Sequence, residues 1–297
     1  MAQFLCPFLI TDRSQISAEL VTEHNLGLEA IFFDGHLLEE MSLLSKSLDD
    51  TNTRFPQRIV SIHFPTEHAN YFSSQQRYNQ LLQLIDIAEQ HSIRKIVVHS
   101  NYFEPLGSFN PRALPEVRKH FLEMYTTIDD FLSSRKVVLL VENMPIIGNK
   151  GDDFDSVFVF PSDFAGFNHF RSIGVAWDFG HWAFTLQTMS NIERIADWKL
   201  SRQAVFDDFK SILPLIKHFH MSSFKGAVFP QSNGECKEGV PMAEGDANPS
   251  LFVESIRFLN NALPDSQISL EIQEEDYKNR PNLTRTLAWL AEHKLLK

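Results

Sequence analysis

Six residues with metal-binding side chains each lie at the end of a short apolar run. They are His63, His99, Glu142, Asp178, His220 and Glu271. A lone histidine or carboxylate after an apolar run is most often a solvated or capping residue, but its sixfold recurrence is not expected by chance. Carboxylates and neutral imidazoles bind divalent cations, and a cation also relieves repulsion between neighbouring carboxylates. The six residues therefore predict a metal site, provided that the fold brings them together.

The apolar runs that carry these residues are predicted to be β-strands. We predict eight strands, at Phe4–Ile10, Glu29–Asp34, Arg58–His63, Lys95–His99, Lys136–Glu142, Ile173–Asp178, Leu215–His220 and Gln267–Ile272. Most gaps between them have room for a helix, and strands that alternate with helices are typical of a parallel sheet. The interpretation is an α/β protein, a (β/α)8 TIM barrel, in which residues 1–297 form a single domain. A doubly wound open sheet is the alternative, but no Gly-x-Gly-x-x-Gly follows the first strand.

Helical periodicity supports several of the connections between strands. Over Ser74–Gln90, one helical stripe carries the side chains of Tyr78, Leu81, Leu82, Ile85 and Ala88. Further helices are predicted for Gln15–His24, Leu114–Leu132, Gln203–Ile212 and Ser250–Asn261, and after Pro281. Two long loops are predicted, at Met144–Ser162 and Ser222–Asn248.

A parallel barrel would bring the six chemistry-bearing residues to one place. The carboxyl ends of its strands all meet at one mouth, where active sites lie. Strand residues two apart share a face, so His218 is predicted to lie one layer below His220 in the interior. His181 follows Asp178 by three residues and is predicted to face a substrate from the next loop.

Composition excludes several other classes of protein. The formal net charge of −11 argues against a nucleic-acid binder, whose affinity comes largely from cationic contacts to phosphate. Two cysteines, Cys6 and Cys236, are too few for a disulfide framework or a four-thiolate zinc site. The first fifteen residues lack the features of a signal peptide, and no apolar stretch is long enough to span a membrane. We therefore expect a cytoplasmic protein without a membrane partner.

The motifs around the six residues resemble those of the xylose-isomerase-like TIM-barrel superfamily. The series runs HFP at His63, VVHS at His99, VENMP at Glu142, WDFGH at Asp178 to His181, HFHMSS at His218 to Ser223, PMAEGD at Pro241 to Asp246, and SLEI at Glu271. Each motif is weak alone, but their order and spacing cover nearly the whole chain. The superfamily includes isomerases and epimerases of sugars and inositols, and the type-IV AP endonucleases.

The resemblance implies a ligand set and catalytic roles. In the isomerase and epimerase branches one divalent metal is bound by residues that match Glu142, Asp178, His220 and Glu271, and the histidine that matches His181 contacts substrate. The two glutamates exchange protons with the substrate, through a metal-stabilised enediolate. We thus assign Glu142, Glu271 and His181 as catalytic, with a small sugar or polyol as substrate. Zinc or manganese is favoured over magnesium or cobalt, because imidazole is among the ligands.

The endonuclease branch supplies the alternative function. There two earlier histidines, which match His63 and His99, hold a second metal, and hydrolysis of a phosphodiester follows. Its third zinc needs an aspartate and a histidine at positions that hold Lys237 and Gly239 here, and nucleic acid also fits poorly with the charge. A non-catalytic ligand-binding relative is the third class. The sequence does not fix the oligomeric state.

One lysine and five aromatic residues are further candidates for contact with a substrate at the mouth. Lys225 follows His220 and either meets an oxygen-rich substrate or, as we favour, is exposed to solvent. Aromatic side chains at the mouth would pack on the apolar faces of a polyol, and the candidates are Phe64, Trp177, Trp182, Phe184 and Phe224.

Overall fold

The barrel closes through eight parallel strands that follow one another in chain order. The computed structural model describes residues 1–105, 107–148, 150, 153–155, 157–196, 204–228 and 235–296. The strands are β1 Gln3–Leu9, β2 Gly27–Ile31, β3 Ile59–His63, β4 Lys95–Val98, β5 Val138–Glu142, β6 Ile173–Asp178, β7 Ile216–Met221 and β8 Gln267–Leu270. Each strand pairs with its neighbours in the chain, and β1 pairs with β8. The predicted (β/α)8 barrel is confirmed.

Helices surround the barrel on its outer face. The described α-helices are α1 Ala18–Glu23, α2 Met41–Arg54, α3 Gln75–Gln90, α4 Leu114–Leu132, α5 Phe179–Ala196, α6 Pro249–Ala262 and α7 Pro281–Glu292. Between β5 and β6 the connection carries a 3-10 segment, Pro161–His169, in place of an α-helix. None of the helices in the described ranges is long and apolar enough to cross a membrane.

Several elements differ from the prediction. The strand predicted at Glu29–Asp34 begins earlier and ends at Ile31, because the Asp34 side chain caps a 3-10 turn at Gly35–Glu40. The helix predicted at Gln203–Ile212 is instead a 3-10 segment at Phe206–Leu215, since Pro214 has no N–H for a regular helix. Residue 203 itself lies outside the described residues. Helices α2 and α5 were not predicted.

The two predicted loops carry short strands. Ser223–Lys225 pairs antiparallel with Lys237–Val240, and Glu104–Pro105 pairs with Asp153–Phe154. Residues 149, 151, 152, 156 and 229–234 of these loops lie outside the described residues. The first hairpin adjoins α5, and residues from both of its strands line the cavity described below.

Strand alternation divides the buried side chains into two sets. One face of each strand packs against the helices in a large apolar core, which includes Val141, Trp177 and Phe219. The other face points into the barrel, where Val97, Leu140 and Ala176 form a small separate apolar cluster. The rest of the interior includes buried polar groups, among them Glu29, Ser61 and His218. The barrel interior is therefore apolar on the side of β4, β5 and β6 and polar on the side of β2, β3 and β7.

Candidate metal centre

Four side chains meet at the carboxyl end of the barrel. Glu142 and Asp178 end β5 and β6, His220 lies in β7, and Glu271 directly follows β8. Their ligand atoms all lie within 4.8 Å of one another. Because zinc ligands sit about 2.0–2.2 Å from the ion, a group this compact has the size that one cation requires. The structure thus brings together the four residues predicted as metal ligands.

His220 lies at the centre of this group. Its Nδ1 atom is 3.2 Å from Glu142 Oε1 and 3.2 Å from Glu271 Oε1. Within the described residues, both ring nitrogens of His220 and Oε1 of Glu142 are buried without a hydrogen-bond partner. Buried polar atoms without partners are costly, and a bound cation would satisfy Nδ1 and Oε1 together. Three carboxylates and an imidazole also form the donor set that divalent cations bind, so these residues fit a metal ion.

The two glutamates of the group have opposite protonation states. Burial disfavours ionisation of Glu142, but the neighbouring charges of His220 and His99 hold its pKa well below the usual value. For Glu271, burial together with repulsion from Glu142 and Asp178 raises the pKa to about 8, although His220 opposes this. Without a cation, Glu142 is therefore the carboxylate and Glu271 the carboxylic acid at neutral pH.

His63 and His99 lie against the other oxygen of Glu142. The Nε2 atoms of His63 and His99 are 3.1 Å and 3.3 Å from Glu142 Oε2. His63 Nδ1 lies 2.8 Å from the carbonyl oxygen of Phe64, which leaves Nε2 facing the carboxylate. The three residues form a second compact ligand group that shares Glu142 with the first.

His181 lies in the first turn of α5, and its placement in a loop was wrong. Helix α5 begins directly after Asp178, whose Oδ1 accepts a hydrogen bond from the His181 N–H at 2.7 Å. This is the capping interaction that starts a helix. His181 Nδ1 lies 2.9 Å from the Asn143 carbonyl oxygen and 3.3 Å from Glu142 Oε1. Burial disfavours its charged form, but Asp178 and Glu142 raise its pKa to about 9.

A cavity of about 610 Å³ opens above the candidate metal centre. Its polar lining includes His99, Asp178, His181 and Glu271. Its aromatic lining is Phe32, Phe33, Phe103, Phe184, Phe224 and Tyr277. The volume suits a small molecule rather than a polymer strand.

The aromatic candidates divide between this cavity and the core. Phe184 and Phe224 line the cavity as predicted, whereas Phe64, Trp177 and Trp182 are fully buried in the outer core. Trp177 precedes Asp178 on its strand, and alternation turns its ring away from the barrel interior. Lys225 is exposed, as favoured.

Three buried or half-buried residues near the centre were missed. Glu29 lies inside the barrel, and a charged residue within an apolar strand was the signal that could have found it. Asn143 follows Glu142 and brackets Asp178, accepting its N–H at 2.6 Å and donating to its carbonyl at 3.0 Å. Glu238 lies between Lys237 and Gly239, the two positions at which this sequence departs from the endonuclease pattern. Its side chain lines the cavity, and burial raises the pKa of its carboxyl group.

The family follows from the sequence match. Residues 22–293 match the family described as "xylose isomerase-like TIM barrel". This chain therefore belongs to the xylose isomerase-like TIM-barrel family, as its motifs indicated. No curated protein sequence matches the chain significantly.

Solved structures agree on the fold. A D-tagatose 3-epimerase-like protein superposes with a TM-score of 0.63 at 18% identity, covering 98% of this chain and 97% of its own. A Thermus thermophilus protein from a crystal soaked with ZnCl2 gives 0.61 at 17% identity and 98% coverage of both chains. A family 2 AP endonuclease from Brucella melitensis gives 0.58 at 15% identity, covering 98% of this chain and 99% of its own. Likeness at such identities defines the fold and leaves the reaction open.

Proposed function

We propose that this protein is a divalent-metal-dependent isomerase or epimerase of a small sugar or polyol-derived hydroxy-carbonyl compound. The observation that carries the proposal is the convergence of Glu142 and Glu271 on one ring nitrogen of His220, each 3.2 Å from its Nδ1 atom. The two glutamates come from β5 and β8, which are not neighbours in the barrel. They therefore approach the centre from different directions, as proton transfer at two faces of a planar carbon requires.

The proposed cation would be held by Glu142, Asp178, His220 and Glu271. When bound, a divalent cation supplies Lewis-acid polarisation of a substrate carbonyl oxygen. Zinc or manganese remains the favoured ion, and the Mg and Co alternatives use the same donors. The neighbouring group of His63, His99 and Glu142 provides a place for a second ion.

Proton transfer is assigned to the two glutamates. One carboxylate removes the proton next to the substrate carbonyl, and the other returns a proton to the same or the adjacent carbon. In the metal-free protein their environments already separate their proton affinities, since the pKa of Glu142 is held well below its usual value and that of Glu271 is raised to about 8. Groups with separated proton affinities in one site are a recurring mark of acid–base pairs.

Substrate orientation is assigned to His181 and the aromatic lining. His181 lines the cavity, and its Nδ1 is engaged by the Asn143 carbonyl, so Nε2 is the nitrogen we assign to a substrate hydroxyl. Phe184 and Phe224 offer apolar surface for the C–H faces of a sugar.

Exchange of the substrate α-proton tests the proposal. The metal-loaded protein is incubated in deuterated water with a panel of ketoses and keto-polyols, and deuterium incorporation is followed by NMR. We expect incorporation with the wild type, and its loss in Glu271→Gln with the fold retained by circular dichroism. Exchange that persists in Glu271→Gln would remove Glu271 from the acid–base role, and no exchange with any panel member would count against the proposed reaction class.

A metal-dependent hydrolase, similar in chemistry to an AP endonuclease, is the second candidate. It is favoured by the contacts of His63 and His99 with Glu142, which form the second ligand group. It requires two metal ions per chain and incision of DNA at abasic sites. Metal counting by mass spectrometry and an incision assay separate the two functions, because the isomerase needs one ion and leaves such DNA intact.

A further inference from the structure

A buried carboxylate lies below the candidate metal centre, and the proposed reaction makes no use of it. Glu29 is on β2, inside the barrel, with no exposed surface. A charge in such a place is strongly unfavourable unless donors surround it. Ser61 Oγ donates to Glu29 Oε2 at 2.5 Å, and His218 Nε2 lies 3.0 Å from the same oxygen. Glu29 Oε1 is left for a third partner.

The ring of His220 faces this oxygen. Its Nε2 atom lies 3.3 Å from Glu29 Oε1, while its Nδ1 atom faces Glu142 and Glu271. Neither Nε2 of His220 nor Oε1 of Glu29 forms a hydrogen bond with any described residue, so two buried atoms that both need a partner lie opposite each other. The ring therefore lies between Glu29 on one side and the pair Glu142 and Glu271 on the other. Its Nδ1 atom is directed at the candidate metal centre and its Nε2 atom at Glu29.

We propose that Glu29 is a positioning residue that accepts the Nε2 proton of His220 and so leaves the Nδ1 lone pair for the cation. The proposal rests on the metal centre proposed above. Imidazoles that bind metals commonly donate their second ring N–H to a carboxylate, which fixes the tautomer and the orientation of the ring. Ser61 and His218 hold Glu29 from below, and because β2 and β7 are not neighbouring strands, this contact crosses the barrel interior.

The tautomer of His220 gives a direct test without a mutation at Glu29. Histidine labelled with 15N is incorporated into the zinc-loaded protein, and the His220 signals are assigned by their loss in His220→Gln. We expect a protonated Nε2 and a metal-bound Nδ1. A protonated Nδ1, or a metal-bound Nε2, would overturn the proposal. The second outcome would also place a cation among Glu29, His218 and His220, whose ligand atoms lie close enough to hold one.

Metal affinity and the Co2+ spectrum give a second test. Glu29→Gln is compared with Asp163→Asn, which neutralises another buried carboxylate, one that accepts the main-chain N–H groups of Val159 and Phe160. Affinity is measured by chelator competition, and coordination by the visible absorption of the Co2+ form. We expect Glu29→Gln to weaken binding by about 10- to 100-fold and to alter the Co2+ spectrum, while Asp163→Asn leaves both unchanged.

The controls separate this inference from the proposed function. All variants carry His36→Gln, because the ligand atoms of the exposed residues Asp34, His36 and His68 lie within 4.8 Å of one another, and binding of added metal there would be counted with the site at the mouth. If Glu29→Gln fails to fold, Ser61→Ala takes its place, because it removes one hydrogen-bond donor to Glu29 and keeps the Glu29 charge. We expect Ser61→Ala to weaken metal binding, by less than the about 10- to 100-fold expected for Glu29→Gln. Wild-type affinity and spectrum in a folded Glu29 variant would overturn the positioning role alone. A wild type that binds no metal at the barrel mouth would overturn the proposed function as well.

Discussion

Glu142 and Glu271 have the same side chain but different proton affinities, because their surroundings differ. Glu142 lies among His63, His99, His181 and His220, and although burial disfavours its charged form, its neighbours hold its pKa well below the usual value. Glu271 is half-buried and faces two other acidic groups, and desolvation together with repulsion from Glu142 and Asp178 raises its pKa to about 8. At the scale of single residues, the site sets the protonation of identical groups by placement alone.

This difference predicts how metal binding depends on pH. Glu271 holds a proton below about pH 8, and a cation must displace it before the carboxylate can bind. Affinity for zinc should therefore rise with pH between pH 6 and pH 8, by about tenfold per unit for each proton released. Chelator competition across this range measures the slope.

A variant of Glu271 is the control for this slope. Glu271→Gln has no proton to release at that position, so its slope should be lower than that of the wild type by one proton. Equal slopes in the two proteins, or an affinity that does not change with pH, would show that Glu271 is not a ligand that loses a proton on binding.

At the scale of elements, local signals determined how well each segment was predicted. Helix α3 was predicted to within one residue, because its apolar stripe is regular and Ser74 caps its first turn. Helix α5 was not predicted: it starts at the residue after β6, and no spacer separates the two elements in the sequence. The cap that begins α5 is Asp178, which also belongs to the metal-ligand group.

The cap of α3 gives a test of stability. Ser74 Oγ accepts a hydrogen bond from the Arg77 N–H at 3.3 Å. Ser74→Ala removes this bond and leaves an N–H of the first turn unpaired, so we expect a loss of about 0.5–2 kcal/mol in the free energy of unfolding. Chemical denaturation measures it. The adjacent Ser73→Ala is the matched control, because Ser73 is exposed and does not cap the helix; an equal loss in both variants would refute the capping role.

The antiparallel pair of Ser223–Lys225 and Lys237–Val240 at the barrel mouth was not predicted, and it carries a residue of the site. In the sequence, Lys237 and Gly239 stand where the endonuclease pattern has metal ligands, and nothing in that pattern marks Glu238 between them. The structure forms a strand at Lys237–Val240, in which Glu238 lines the cavity. No helical or strand periodicity marks so short a segment, so its pairing with Ser223–Lys225 could not be read from the sequence.

At the scale of the whole molecule, barrel closure gathers residues that are far apart in the chain. Eight apolar runs predicted the strands, and the rule that parallel strands share one mouth predicted the meeting of Glu142, Asp178, His220 and Glu271. The interior below the mouth could not be predicted, since the contact of Glu29 with His218 depends on the register and width of the closed barrel. Such cross-barrel contacts involve residues 189 positions apart.

The opposite end of the barrel provides a prediction for pH-dependent stability. Lys95, at the start of β4, donates to the Lys217 carbonyl oxygen at 2.5 Å, and burial lowers its pKa to about 8. Between pH 8 and the usual lysine value, the unfolded chain binds a proton that the folded chain does not. The free energy of unfolding therefore rises with pH across this window. Below about pH 8 the folded protein carries the buried charge on Lys95, which lowers the free energy of unfolding by its full amount.

Replacement of Lys95 removes this dependence. The stability of Lys95→Met relative to the wild type should be greater at pH 7 than at pH 10, by about 1–3 kcal/mol. Chemical denaturation of both proteins at the two pH values measures the difference. Lys46→Met is the control at an exposed lysine, for which we expect no such difference. Parallel pH dependence of Lys95→Met and the wild type would show that the folded protein bears no cost from this charge.

The most direct test of the account is an anomalous-scattering experiment on crystals grown with zinc or manganese. We predict one strong peak at the barrel mouth, about 2.0–2.3 Å from oxygen atoms of Glu142, Asp178 and Glu271 and from Nδ1 of His220. A second peak between His63 and His99, as strong as the first, would favour the two-metal hydrolase over the isomerase. A mouth without an anomalous peak, in crystals that hold the metal elsewhere, would contradict the central claim that these four residues bind a cation.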